Sequence, residues 1–207
     1  MRFQVGFLAS AILAAFTLPV CCEEIEKEAQ STSDSPSPDG QFAFRYTGRS
    51  DSDGKTYDLI NSATGKVLMS VAESDPDLGP SARFDMKVLW KPDSKAFSLT
   101  ATLWKRGSFV AVFVRRGSTF DKIQLPEMVA DIPEKVKRGK DFPHVVELNS
   151  QSAKQWQQDG SLVVEIENIV DGNNGSITAT RTAVLGFNRS DKAHILESRI
   201  KFVTAKP

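Results

Sequence analysis

Few side chains in this sequence have the type and spacing that chemistry needs. Asp51, Asp53 and Asp58 fall in the stretch "RSDSDGKTYD", and Asp171 opens "DGNNG". The Asp-x-Asp-Gly order resembles part of a calcium loop. In that register the first ligand position falls on Arg49 and the last on Ile60, so the bidentate acid that calcium needs is missing. "DGNNG" raises the same idea and meets the same answer, and the acids read as turn residues with no metal and no cofactor. The two histidines, His144 in "DFPHVVEL" and His194 at the start of the last apolar run, are far apart in the chain. There is no Gly-x-Ser-x-Gly elbow, no His-Glu-x-x-His and no phosphate loop. The sequence therefore favours a protein without catalytic residues. The alternative is a hydrolase-type enzyme whose site gathers loop acids such as Asp51, Asp53 and Asp171. Trp90, Trp104 and Trp156 could line a groove for a sugar or a peptide. Trp90 and Trp156 belong to a recurring motif, where packing between repeats explains them better, which leaves Trp104, beside Lys105 and Arg106 at an expected hairpin end, as the candidate ligand contact.

The two cysteines, Cys21 and Cys22, close an N-terminal stretch that reads as an address. A basic start at Arg2, the apolar run "VGFLASAILAAFTLPV" and the abrupt acidic "CCEEIEKE" describe an export signal over 1–22. The run is short for a membrane span, which takes about 20 apolar residues. Two outcomes stand open. Cleavage after Cys22 would leave a mature protein without cysteine, periplasmic or extracellular. Alternatively Cys21 or Cys22 carries a lipid, and "EEIEKEAQSTSDSPSP", over 23–36, tethers the domain to a membrane. Val20 before Cys21 fits the lipoprotein box poorly, which favours plain export. In either case no disulfide framework is expected. Lys+Arg 26 against Asp+Glu 26 gives no global pull towards nucleic acid or an acidic membrane. The basic run "KVKRGK" has acidic neighbours in Glu134 and Asp141 and reads as a solvated loop. The expected partner is a protein or carbohydrate, or a second copy.

What must position any site is a set of strands over 37–207. "QFAFRYT", "TYDLIN", "KVLMSVA", "RFDMKVLW", "AFSLTATLW", "SFVAVFVRR", "STFDKIQL", "SLVVEIENIV", "SITATRTAVLGFN" and "AHILESRIKFV" are rich in β-branched and aromatic residues. Gly65, Gly107 and Gly117 sit at turns between them. "PEMVADIPEKVKRGKDFP" reads as a loop with a short helical turn. "NSQSAKQWQQ" contains a helix-start signal at Asn149 or Ser150. The fold class is all-β.

A motif recurs within this pattern. "SPSPDGQFAF", "LWKPDSKAFSL" and "QWQQDGSLVVEI" align on Asp39, Asp93 and Asp159, each followed by Gly or Ser and then by an apolar strand. Pro38 and Pro92 precede the first two aspartates; Trp90 and Trp156 stand three residues before the last two. Proline sets φ for a tight turn, aspartate bonds the backbone two residues on, and Gly or Ser accepts the exit conformation. Recurrence at spacings of 54 and then 66 residues suggests propeller blades or a related array. The first two copies resemble the repeat of TolB-like β-propellers, in which Trp–Ser–Pro–Asp–Gly links one strand of a blade to the next. The resemblance implies antiparallel blades and a bacterial origin. It covers three short motifs and implies no activity. It predicts about three blades, over 37–82, 83–142 and 143–207, the first lacking its Trp and its leading strand. Closed propellers have 4–8 blades. Three blades imply an open stack, a ring completed by dimerisation, or repeats merged into a sandwich. The functional expectation is a binding or assembly module of the bacterial envelope.

Overall fold

The computed structural model describes residues 32–47, 56–71, 84–103, 107–188 and 192–206. Their strands form three antiparallel sheets of four strands, each strand pairing with the next in sequence. The first sheet holds β1 (Thr32–Asp34), β2 (Phe42–Thr47), β3 (Thr56–Asn61) and β4 (Val67–Ser70). The second holds β5 (Phe84–Trp90), β6 (Ala96–Leu103), β7 (Gly107–Arg116) and β8 (Thr119–Ile123). The third holds β9 (His144–Trp156), β10 (Leu162–Gly172), β11 (Gly175–Phe187) and β12 (Ala193–Ala205). One short helix, α1 (Glu134–Lys137), lies in the connection between the second and third sheets. The all-β architecture of three repeated meanders is thus observed, and no barrel closes.

The second sheet is the middle layer, and its sequence shows why. Along β6 and β7 the residues alternate between two buried faces. Phe97, Leu99, Ala101, Ala111 and Phe113 pack with Phe42, Phe44 and Leu59 of the first sheet. Ala96, Val110 and Val112 pack with Leu162, Val164, Ile166 and Leu185 of the third. A strand buried on both faces needs apolar residues at odd and even positions alike, and "SFVAVFV" supplies them. An aromatic cluster fills the first interface: Phe97 stacks on Phe113 with centroids 5.1 Å apart, and meets Phe44 edge-on at 5.2 Å.

The first sheet is the short one. The leading strand expected to be missing is present: the three-residue β1 pairs with β2 and holds that position, where the other sheets have strands of seven and thirteen residues. The tether expected over 23–36 overlaps β1, whose Asp34 pairs with Phe44. "NSQSAKQWQQ" does not begin a helix: residues 149–156 belong to β9. Two contacts override the local signal. β10 offers a ladder along the whole segment, and the polar side chains of β9 are needed by the middle sheet. β8 pairs only with Val112–Arg116 of β7, which leaves the start of β7 without a strand partner on that side. Ser150 Oγ accepts the Ser108 N–H at 3.0 Å, and Gln151 Oε1 accepts that of Val110 at 3.2 Å. β9 fits this second task by bulging three times along its β10 register, with Asn149 at φ +50°.

The connection over 124–143 is a loop with a helical turn, as the three prolines imply. Leu125, Met128, Ala130 and Ile132 close over the second interface. Arg181 of β11 fixes this strap by donating to the Val129 carbonyl at 2.9 Å, while its Nε donates to Ser198 Oγ at 2.7 Å. The Ala130 N–H donates to Asn149 Oδ1 at 3.0 Å.

Candidate binding surface

The three aspartate turns occupy the same place in the three sheets, between the first and second strands of each. Their geometry is the same. Gly40, Ser94 and Gly160 donate N–H to the carbonyls of Ser37, Lys91 and Gln157 at 2.9, 2.9 and 3.0 Å. Asp39, Asp93 and Asp159 each accept the N–H two residues on, from Gln41, Lys95 and Ser161, at 3.0, 3.0 and 2.9 Å. The exit residues Gly40, Ser94 and Gly160 have φ of +69°, +57° and +85°, which explains Gly at two of the three.

These bonds favour the ionised acid. Partial burial works against the charge of Asp39, but Ser37, the Gln41 N–H, Ser94 and Arg115 together hold its carboxyl below the usual range. Burial opposes Asp93 in the same way, and the Lys95 N–H and Lys91 outweigh it. At Asp159 the Ser161 hydroxyl and N–H lower the value.

The tryptophans of the motif are joints between sheets. Trp90 of the second sheet donates from Nε1 to the Ser35 carbonyl of the first at 2.9 Å. Trp156 of the third donates from Nε1 to the Leu89 carbonyl of the second at 3.0 Å. Ser35 and Leu89 each lie four residues before the motif aspartate of their sheet. The same indole-to-carbonyl bond therefore links sheet two to sheet one and sheet three to sheet two. β5 is an edge strand among the described residues, with Leu89 opposite Ser98 of β6, so the indole bond adds a contact across sheets to a residue already in a ladder. Among the described residues no sheet precedes the first one in the stack, and Pro36 stands at the Trp position. Trp90 and Trp156 are thereby committed to packing: Trp90 lies among Phe42, Phe44, Phe97 and Phe120, and Trp156 against Phe187 at 5.4 Å.

The other residues singled out in the sequence are dispersed. Cys21, Cys22, Asp51, Asp53 and Trp104 lie outside the described residues. Asp58, on β3, meets Arg45 at 3.5 Å. His194 starts β12 opposite Gly186, at the far end of the third sheet from Asp171. His144, Asp171 and Ser176 form one row across β9, β10 and β11. The order is wrong for activating a nucleophile. Neighbouring strands are about 4.8 Å apart, so His144 and Ser176 sit two strand spacings from each other with the acid between them. A base must hydrogen-bond the hydroxyl it activates, with the acid on its far side. Among the described residues no group of three His, Cys, Asp or Glu side chains could hold a metal ion.

Sequence reasoning missed the most exposed apolar surface. Among the described residues the large apolar side chains left in solvent are Val67 and six on the third sheet: Val145, Val146 and Leu148 of β9, and Leu196, Ile200 and Val203 of β12. The β9 trio is 57–65% exposed. It occupies the bulged half of the strand, beyond the stretch that docks on β7. "HVVEL" carries no signal for it: its valines and leucine suit a strand, and their composition does not tell an exposed strand from a buried one. Among the described residues no helix is long and apolar enough to cross a membrane.

Comparison with protein-family models, with curated proteins and with solved structures finds no match to this chain.

Proposed function

We propose that this chain is an exported, non-catalytic β-repeat protein of the bacterial envelope that works as a binding or assembly module. The observation that carries this reading is the run of three exposed aliphatic side chains within β9, Val145, Val146 and Leu148. Isolated apolar residues on a surface need no explanation, whereas a cluster on one element marks an interaction surface. The β9 trio is aliphatic, and Trp90 and Trp156 are consumed by the joints between sheets. An aliphatic strip suits an apolar protein segment better than a sugar ring, which stacks on exposed aromatic faces. Export is supported by the basic, apolar and acidic succession of residues 1–26, and the envelope by the TolB-like resemblance of the turns.

Site-specific photo-crosslinking in exporting cells tests the reading. A photoreactive residue at Val146 or Leu148 should give one discrete adduct with a different protein, and the same residue at the exposed Lys66 should give none. No adduct, a product of twice the chain's own mass, or the same products from all three positions would count against it.

A further inference from the structure

The third sheet ends in an edge of unusual length and specific charge. β12 runs for thirteen residues, Ala193–Ala205; its first residue also bonds Gln124, whose carbonyl accepts the Ala193 N–H at 2.9 Å, and from His194 onward, among the described residues, it pairs only with β11. Its residues from His194 onward are exposed almost throughout, with Ile195 and Phe202 half-buried. An open edge of this length is a template for another strand, and natural edges usually carry charges or bulges that prevent it. β12 has both. An extra residue at Leu196 interrupts its register with β11, and Glu197, Arg199 and Lys201 stand on its outer row, opposite Val184, Thr182 and Thr180. These charges block most pairings but admit one.

We infer that two copies of this chain associate by antiparallel pairing of β12 with its own copy, centred on Ser198. Paired residues of an antiparallel ladder share a face, so a strand can slip against its copy only in steps of two. With Ser198 opposite Ser198 of the copy, Glu197 stands opposite Arg199 twice, once on each side of the two-fold axis. One step towards the C-terminus makes two Glu197–Lys201 pairs but puts Arg199 opposite Arg199 between them. One step the other way puts Glu197 opposite Glu197. Two steps towards the C-terminus put Arg199 opposite Lys201 twice. Among these registers only the one centred on Ser198 has no like-charge pair. Opposite charges directly across a ladder stabilise it, and like charges oppose it. Glu197 and Arg199 already meet within one chain at 2.6 Å, so the pairing builds a ring of four alternating charges. The bulge adds to the match. Once Leu196 is skipped, Ile195 and Ala193 lie on the same face as Ile200 and Phe202, as their partners Leu185, Phe187, Arg181 and Ala179 on β11 require. Ile200 then runs beside Ile195 of the copy, and the pairing stops before Ala193, whose N–H is already bonded to the Gln124 carbonyl. The product is one continuous eight-stranded sheet, a joining by edges that differs from a ring closed face to face. It does not rest on the β9 surface proposed above.

The test is a charge swap on the full chain, purified from the exporting host and weighed by light scattering over a concentration series. The unmodified chain should give a dimer mass. Glu197→Arg or Arg199→Glu should each weaken the dimer about tenfold or more, because each creates two like-charge pairs. The double variant Glu197→Arg with Arg199→Glu should restore it. In a second measurement, Ser198→Cys should form a symmetric disulfide between copies on mild oxidation, while Lys201→Cys and the unmodified chain should not. A monomer at all concentrations, or a dimer indifferent to the single swaps, would overturn the inference. A double variant no tighter than the singles would also overturn it, because edge pairing predicts rescue.

Discussion

Replacing Trp156 by phenylalanine separates a joint from a filler. The indole is almost fully buried, stacks near Phe187 and donates from Nε1 to the Leu89 carbonyl at 3.0 Å. Phenylalanine keeps most of the apolar contact and removes the donor. The lost hydrogen bond is worth about 1 kcal/mol, and more where the carbonyl is left without a partner. The smaller ring leaves a gap worth about another 1 kcal/mol. The sum, about 2 kcal/mol, lowers the melting temperature by about 4–8 °C for a domain of this size. Trp156→Ala should cost about 3–5 kcal/mol. Trp90→Phe should behave like Trp156→Phe, because its indole makes the equivalent bond to Ser35. Urea and thermal melts of the exported chain measure all three. A Trp156→Phe variant within about 0.5 kcal/mol of the parent, the range of ordinary surface changes, would refute the claim that the indole joins the two sheets.

The motif carboxylates should contribute to the acid sensitivity of the fold. Their folded values lie below the unfolded one, which is about 3.9, so the stability they contribute is present above about pH 4 and lost as pH falls through the folded values. The melting temperature should drop on acidification below about pH 4, and the combined Asp39→Asn, Asp93→Asn and Asp159→Asn variant should show a flatter profile with a lower plateau at neutral pH. At Gly175, with φ +98°, an added Cβ falls on the Ala205 carbonyl. Gly175→Ala should therefore cost about 2 kcal/mol or more in urea melts. Gly117→Ala, at φ +63° with open space around it, should cost only about 1 kcal/mol. Equal costs at the two positions would show that the β11–β12 contact does not press on Gly175.

Much of the fold was legible because turn chemistry and strand composition agreed. A Pro–Asp–Gly and a Pro–Asp–Ser turn, each followed by an apolar run, marked the starts of β2 and β6, and the β-branched runs marked β10 and β11. Ser94 at φ +57° shows the limit of composition: the position is left-handed as in the other copies, but serine holds it with its Oγ accepting the Asp39 N–H at 3.0 Å. β9 was illegible for a physical reason. Its polar run serves the unpartnered start of β7, a requirement visible only once both sheets are placed. β1 was hidden by its brevity, since "TSD" is too short to carry any periodicity. The joint role of Trp90 and Trp156 was half legible. Their place in the motif predicted packing, but the acceptor carbonyls lie one repeat away. The exposed β9 strip could not be read from "HVVEL", because a buried and an exposed apolar strand have the same composition.

The account stands on the stack of three repeated sheets held by the two indole bonds. The exchange rates of the tryptophan indole protons, assigned by nuclear magnetic resonance with single Trp→Phe variants, test it most directly. The account predicts that the Trp90 and Trp156 Nε1 protons exchange far more slowly than a free indole and lose protection together with the core amides when the protein unfolds. Exchange of either proton at the rate of a solvent-exposed indole in the folded protein would contradict it.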